Sequence, residues 1–309
     1  MTRARYPLPT DLVALVSFDG RVYANEAKPW DRLGMDDRAR PLETALEQWF
    51  SFATGKHTWV SVRGATIRGL ISARRRAKRS AWEVEMLIDA GDDAAVVLSL
   101  FSRMVGGIGK LGVERIFLRL DAGSHLEKAA RQAGVFPYER QTLYRLDKQP
   151  ALAAPPLKLR HRVKGDLFGI FHLYSRVAPA NVRAIEGATF REWQAALEPW
   201  GGRYTDDVLE EGGVICGWVR SLGGQVGRLT FLCDNRAVSP DDVLRAGIAQ
   251  LGVFKCALSL VPDYDAGAAL SLEGLGFQPV GRYVVMAKRL AKPSEELVPE
   301  RSGTAVPAN

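Results

Sequence analysis

Apolar and polar positions alternate through residues 82–88, with Trp82, Val84, Met86 and Ile88 set against Glu83 and Glu85, and this two-residue period predicts a strand. Residues 92–112 carry an apolar stripe at helical spacing, and residues 115–120 form a second strand pattern. A short helix over 124–133 stops at Gly134, and residues 138–146 return as a closing strand. The same order recurs with strand 226–233, helix 240–251, strand 256–261, helix 266–275 and strand 280–290. The offset of about 140 residues is the size of a domain and too long for a solenoid repeat. The chain is therefore predicted to hold two copies of one unit.

The remaining elements fill in around these. Residues 11–18 predict a short helix that breaks at Asp19-Gly20, and residues 41–53 a second one, with Leu42, Leu46, Trp49 and Phe50 on one face and Pro41 at an allowed first-turn position. Residues 58–63 and 66–72 predict a hairpin about Gly64-Ala65. Residues 149–156, rich in Pro and Ala, have the composition of a semi-rigid spacer. In the second copy, residues 157–163 predict an opening strand and 166–176 a helix. Thr189 with Glu192 fits a capping box, and residues 213–221 and 226–233 a hairpin about Gly223-Gly224. The expected division is 1–148, a linker at 149–156, 157–290, and a disordered tail at 291–309 rich in Pro, Glu and Ser.

Composition excludes several classes. No run approaches the roughly 18 apolar residues of a membrane span, and the N-terminus lacks a signal-peptide pattern, so a cytoplasmic protein without membrane partners is expected. Cys216, Cys233 and Cys256 lie in apolar strand patterns without paired spacing, and the four histidines show no metal-ligand spacing, so no metal is expected. The net charge of +7 is uneven, with 24 Lys/Arg against 18 Asp/Glu in residues 1–150 and near balance in the rest. Its densest run, residues 74–79, is expected at a hairpin tip, either as a solvated turn or as a contact for a phosphate-rich ligand. No recognisable nucleic-acid module accompanies it, so nucleic acid is not the expected partner.

The element order in each half resembles the GCN5-related N-acetyltransferase family, here as a tandem pair. Supporting marks are the helix-to-strand junctions Gly134-Val135-Phe136 and Leu275-Gly276-Phe277, and the strand Val84-Glu85-Met86-Leu87-Ile88-Asp89 before the long helix. The resemblance implies an α/β (by some schemes α+β) fold: two acyl-CoA N-acyltransferase-like domains, each a mixed, mostly antiparallel sheet flanked by helices. It also implies acetyl-CoA as cofactor, lying along Leu87, Ile88 and Asp89 in copy one or Leu232 and Cys233 in copy two. Glu85 and Glu83 are then the candidate bases.

Two departures stand against that. The family's phosphate pattern at the start of the long helix is replaced by Asp89-Ala90-Gly91-Asp92-Asp93 in copy one and Ser239-Pro240-Asp241-Asp242 in copy two, whose carboxylates cap their own helices and repel a pyrophosphate. The family's tyrosine on the short helix is replaced by Ala130 and Leu272, with Tyr138 and Tyr264 nearby but out of position. A near match, Arg103-Met104-Val105-Gly106-Gly107-Ile108-Gly109, falls well inside the helix pattern, with Ile108 where the small residue should be, and is expected to end or kink the helix. Two functions follow: an N-acetyltransferase acting on a small-molecule amine, with copy one active through Glu85, or a non-catalytic tandem scaffold or small-ligand receptor. The sequence leaves homo-oligomerisation and the acyl acceptor open.

Overall fold

A computed structural model describes residues 3–19, 23–34, 55–64, 66–149, 157 and 159–290. The helix expected at 41–53, most of the linker and the tail lie outside them. In chain order the elements are β1 (Arg3–Arg5), α1 (Leu12–Asp19), β2 (Lys56–Arg63), β3 (Thr66–Arg75), β4 (Ala81–Asp89), α2 (Ala94–Gly109), β5 (Arg115–Asp121), α3 (Leu126–Gln132) and β6 (Phe136–Leu146). The second half follows with β7 (Arg160–His161), α4 (Asp166–Val177), α5 (Ala180–Glu186), α6 (Phe190–Ala196), β8 (Thr205–Glu211), β9 (Val214–Leu222), β10 (Val226–Cys233), α7 (Pro240–Gln250), β11 (Cys256–Pro262), α8 (Ala266–Gly274) and β12 (Gln278–Arg289).

The strands make one twelve-stranded sheet in the order β1-β2-β3-β4-β5-β12-β6-β11-β10-β9-β8-β7. Among the described residues only β4–β5 and β10–β11 are parallel, one pair per copy. The two closing strands cross over. β12 lies beside β5, with Tyr283 opposite Asp121 through Arg289 opposite Arg115, while β6 lies beside β11, with Leu146 opposite Ala257 through Gln141 opposite Pro262. The two closing strands also pair with each other at the centre.

Packing follows this exchange. α2 places Val96, Val97, Leu100, Phe101, Met104 and Ile108 at i, i+3, i+4 spacing on one face of the sheet. The cluster it forms includes Val284 and Met286, which come from β12. In copy two, α7 sets Val243, Leu244 and Ile248 against a cluster that includes Tyr144 and Leu146, which come from β6. Each copy thus completes its core with a strand of the other. On the opposite face, α4 and α6 pack Ile170, Leu173 and Trp193 on Val208 and Trp218.

Local departures from the pattern have local causes. α2 runs through Gly106 and Gly107 and ends at Gly109, inside the stretch expected to end or kink it; a Cβ at Gly107 would stand 2.8 Å from the Trp59 ring, so that glycine also permits a close approach. The opening strand expected over 157–163 shortens to Arg160–His161, since Arg162 turns its side chain to Asp206 and Val163 donates its N–H to Asp166. Ala81 through Ile88 are all buried, so β4 is covered on both faces and its two glutamates do not face solvent.

Candidate functional site between the copies

In each copy the parallel pair starts together and then parts. β4 and β5 are paired only from Ala81–Arg115 to Glu83–Phe117, and β10 and β11 only from Val226–Cys256 to Leu229–Ser259. Beyond these rungs the facing edges of both strands need other partners.

In copy one the chain itself supplies them. Residues 25–28 lie in the gap as an extended segment. Asn25 donates Nδ2 to the Glu85 carbonyl at 3.0 Å and accepts from the N–H of Leu87 at 2.9 Å and of Ala27 at 3.1 Å. Glu26 N–H bonds the Leu87 carbonyl and Lys28 N–H the Arg119 carbonyl, each at 2.9 Å. Asn25 and Ala27 are buried. Removing the amide leaves the Leu87 N–H and Glu85 carbonyl buried and unpaired, so Asn25→Ala is expected to cost about 2–4 kcal/mol in urea unfolding.

Both candidate bases of copy one lie in this filled region. Glu85 is 0% exposed and accepts from Ser72 Oγ at 3.2 Å, with Lys56, Arg74 and Arg32 at 3.6, 3.6 and 3.7 Å. Glu83 accepts from Arg74 Nε at 2.7 Å and Arg76 Nε at 3.1 Å, and burial raises its pKa against the pull of these cations. Leu87 and Ile88 are buried, and the Leu87 backbone is taken up by residues 25 and 26. Asp89 bonds the Gly91 N–H and comes together with Asp92 and His125, their ligand-type atoms lying within 4.8 Å of one another. Asp92 and His125 are exposed, and Asp92 has φ +48°.

Copy two differs. No backbone bond joins residues 230–233 to β11 among the described residues, and Thr230, Phe231 and Leu232 are half-buried where their counterparts in copy one are covered. The gap opens into a cleft of about 1010 Å³, including its mouth, lined by Thr230, Phe231, Leu232, Leu260 and Pro262. The far wall comes from both halves: Trp30, Arg119, Glu139 and Gln141 from the first, and Tyr174, Glu186, Glu198 and Trp200 from the second. Cys233, Tyr264 and Asp265 lead to an adjoining hollow with Arg176, Asn235 and Arg236 at the outer end. Burial pushes the Cys233 thiol up to about 12, which keeps it protonated at neutral pH.

Among the described residues the cations of the cleft are in ion pairs, whereas Glu139, Glu186 and Asp265 are not. Arg119 bonds Glu198 at 2.5 Å and Gln141 at 3.0 Å; Arg76 bonds Glu83 and Glu198; Arg220 bonds Asp206 at 2.8 Å. Glu139 accepts from Gln141 Nε2 at 2.5 Å, and Glu186 accepts from Tyr138 at 2.9 Å and Tyr174 at 3.0 Å. Burial first, and the charge of Glu186 second, hold Glu139 well above the usual carboxylate range. Burial raises Glu186 too, against the two tyrosine donors. This is a pair of interacting acids that cannot both ionise easily. Tyr264, at the start of the outer hollow, is raised by burial.

Of the residues marked in the sequence, Leu232 lines this cleft and Cys233 its outer hollow; Glu139 and Glu186, which also line the cleft, carry no such mark. Glu139 sits in a polar stretch of β6 that reads as an ordinary strand, and Glu186 ends a helix that periodicity did not single out. The one available signal was Pro179 ahead of residues 180–186 and Gly187 behind them, the usual helix punctuation. Ala130 and Leu272, at the family's tyrosine position, are both 0% exposed, so core packing occupies that place in each copy.

No family model and no curated protein matches the chain. Solved structures do. A GCN5-related N-acetyltransferase from Sphaerobacter thermophilus is 17% identical, with a TM-score of 0.52 over 93% of this chain and 95% of that one. A suspected acetyltransferase from Pyrococcus horikoshii is 15% identical, with a TM-score of 0.51 over 94% and 89%. At this identity the likeness defines the fold, which is that of the GCN5-related N-acetyltransferases. The chain carries it twice, as a tandem with exchanged closing strands. Among the described residues no helix is long and apolar enough to cross a membrane.

Proposed function

We propose that the protein transfers an acyl group from a coenzyme A thioester to an amine, with copy two holding the thioester and the cleft between the copies holding the amine. The carrying observation is the contrast between the two gaps. In copy one, backbone and amide groups of residues 25–28 satisfy the edges of β4 and β5. The matching edge at residues 230–233 is open, and a slender amide-bearing arm suits it on the same terms. Leu232 and Cys233 flank that arm, and Arg236, which has no ion pair among the described residues, offers the cation for its phosphate end.

When bound, the thioester supplies an activated acyl carbon. The chain's own part is proton handling and orientation. An ammonium entering the cleft meets the Glu139–Glu186 pair, whose shared negative charge attracts it and takes its proton, leaving a neutral, nucleophilic nitrogen. Arg119 and Gln141 orient Glu139 from below. Tyr264 stands between the cleft and the outer hollow, where its hydroxyl is the available proton donor for a leaving thiolate.

Isothermal titration of acetyl-CoA tests this. One site per chain is expected, abolished by Leu232→Trp, which fills the gap, and weakened roughly tenfold by Arg236→Glu, about one charge-assisted hydrogen bond. The acidic start of α7, Asp241 and Asp242 behind a proline without an N–H, favours the second reading, a non-catalytic scaffold. Absence of binding at millimolar acetyl-CoA would establish that reading.

A further inference from the structure

The turn between β3 and β4 frames a separate hollow, lined by Gly55, Lys56 and residues 74–79. Six of these eight residues are cations and none is an acid. Arg74 and Arg76 are committed inward, to Asp31, Glu83 and Glu198. Arg75, Lys78 and Arg79 are exposed and have no ion pair among the described residues.

A solvated turn would let such charges spread apart, and this backbone does not. Arg76 N–H bonds the Ala81 carbonyl at 2.9 Å, Trp82 Nε1 bonds the Arg79 carbonyl at 3.0 Å, and Ala77 N–H reaches Leu197 in the other copy at 3.2 Å. Gly55, at φ +65°, lets the Arg75 guanidinium lie where a side chain would stand, 2.8 Å from the place of a Cβ. The backbone of the turn is therefore pinned with six cations lining one concave space, where a multiply charged anion offsets their like charge.

We propose that this pocket binds a phosphate-bearing small molecule through Arg75, Lys78 and Arg79. Guanidinium forks match phosphate oxygens in pairs, and a dianion answers several cations at once, which a single carboxylate does not. The cations converge on one hollow and do not run as a stripe, so a discrete ligand fits better than a nucleic-acid backbone. The pocket is distinct from the outer end of the acyl-CoA cleft at Arg176 and Arg236, and the proposal stands whether or not the protein is a transferase.

The test is titration with inorganic pyrophosphate at low ionic strength, using the wild type, Arg79→Gln, the triple variant R75Q/K78Q/R79Q, and Arg236→Glu. Binding is expected to weaken roughly tenfold per cation removed, one charge-assisted hydrogen bond each, and to persist in Arg236→Glu. Circular dichroism checks the fold of the variants. No binding by the wild type, or binding lost in Arg236→Glu and kept in the triple variant, overturns the proposal. So does affinity for single-stranded oligonucleotides that grows with their length and displaces pyrophosphate, which would make the surface a nucleic-acid contact.

Discussion

Glu139→Gln is expected to lower turnover by about 10²–10⁴-fold, the usual contribution of a positioned general base, with little change in affinity for the thioester. Release of the free thiol of coenzyme A in the presence of a panel of primary amines measures it. The same substitution should stabilise the fold at alkaline pH. A carboxyl whose pKa is raised by folding contributes stability that is present below its unfolded value near ~4 and lost as pH rises through the folded value. Glutamine has no such loss, so the variant's melting temperature should exceed the wild type's at pH 8 and fall to it or below at pH 4. Full turnover in Glu139→Gln and in Glu186→Gln would remove the pair from the chemistry. A stabilised but inactive Glu139→Gln protein would show that burial of an acid at 8% exposure is maintained for function at the expense of stability.

Separating the halves should be more damaging than any point change. Residues 1–148 expressed alone lack β12, and with it Val284 and Met286, two members of their own core, and every rung along the far side of β5. Burying those two side chains is worth about 1.5–3 kcal/mol each, before the open edge of β5 is counted, against a total domain stability of about 5–15 kcal/mol. The expectation is an unfolded or aggregated fragment, with a folded 1:1 complex when both halves are produced together. Light scattering and circular dichroism of the separate and co-expressed fragments decide this. Two independently folded halves would show that β6 and β12 can return to their own copies.

The same exchange marks the limit of what the chain reveals by pattern. Alternation in residues 138–146 and 280–290 identifies strands, and Gly134 and Gly276, at φ +80° and +92°, stop the helices before them as their positions imply. The order of elements and both long helices are legible on these grounds. Alternation carries no information about which strand lies alongside, so the crossing of β6 and β12 is not legible. Glu83 and Glu85 illustrate the related blind spot. Period-two spacing predicts an exposed face, but a central strand covered on both sides buries everything, and the two acids became members of an ionic cluster with Arg74 and Arg76. Asn25 sits in a charged, irregular stretch with no periodicity at all, and its role depends on a gap 60 residues away in sequence. The cleft beside β10 is legible only in part: Leu232 and Cys233 are marked by the resemblance, whereas Glu139 and Glu186 reach the cleft only through the exchange and the packing of α5.

A strand that arrives last and sits in the middle also sets an order of events during synthesis. β5 and β6 leave the ribosome long before β12 exists, and the roughly 130 residues between β6 and β12 take on the order of 10 s to translate at 5–20 residues per second. Throughout that interval the nascent chain presents two bare strand edges, templates for pairing with any other chain in the same state. Pairing with another nascent chain competes with correct closure until the twelve residues of β12 emerge. Its yield in a cell should therefore respond to chaperone supply and to translation speed over the second half, and much less to the stability of the finished molecule.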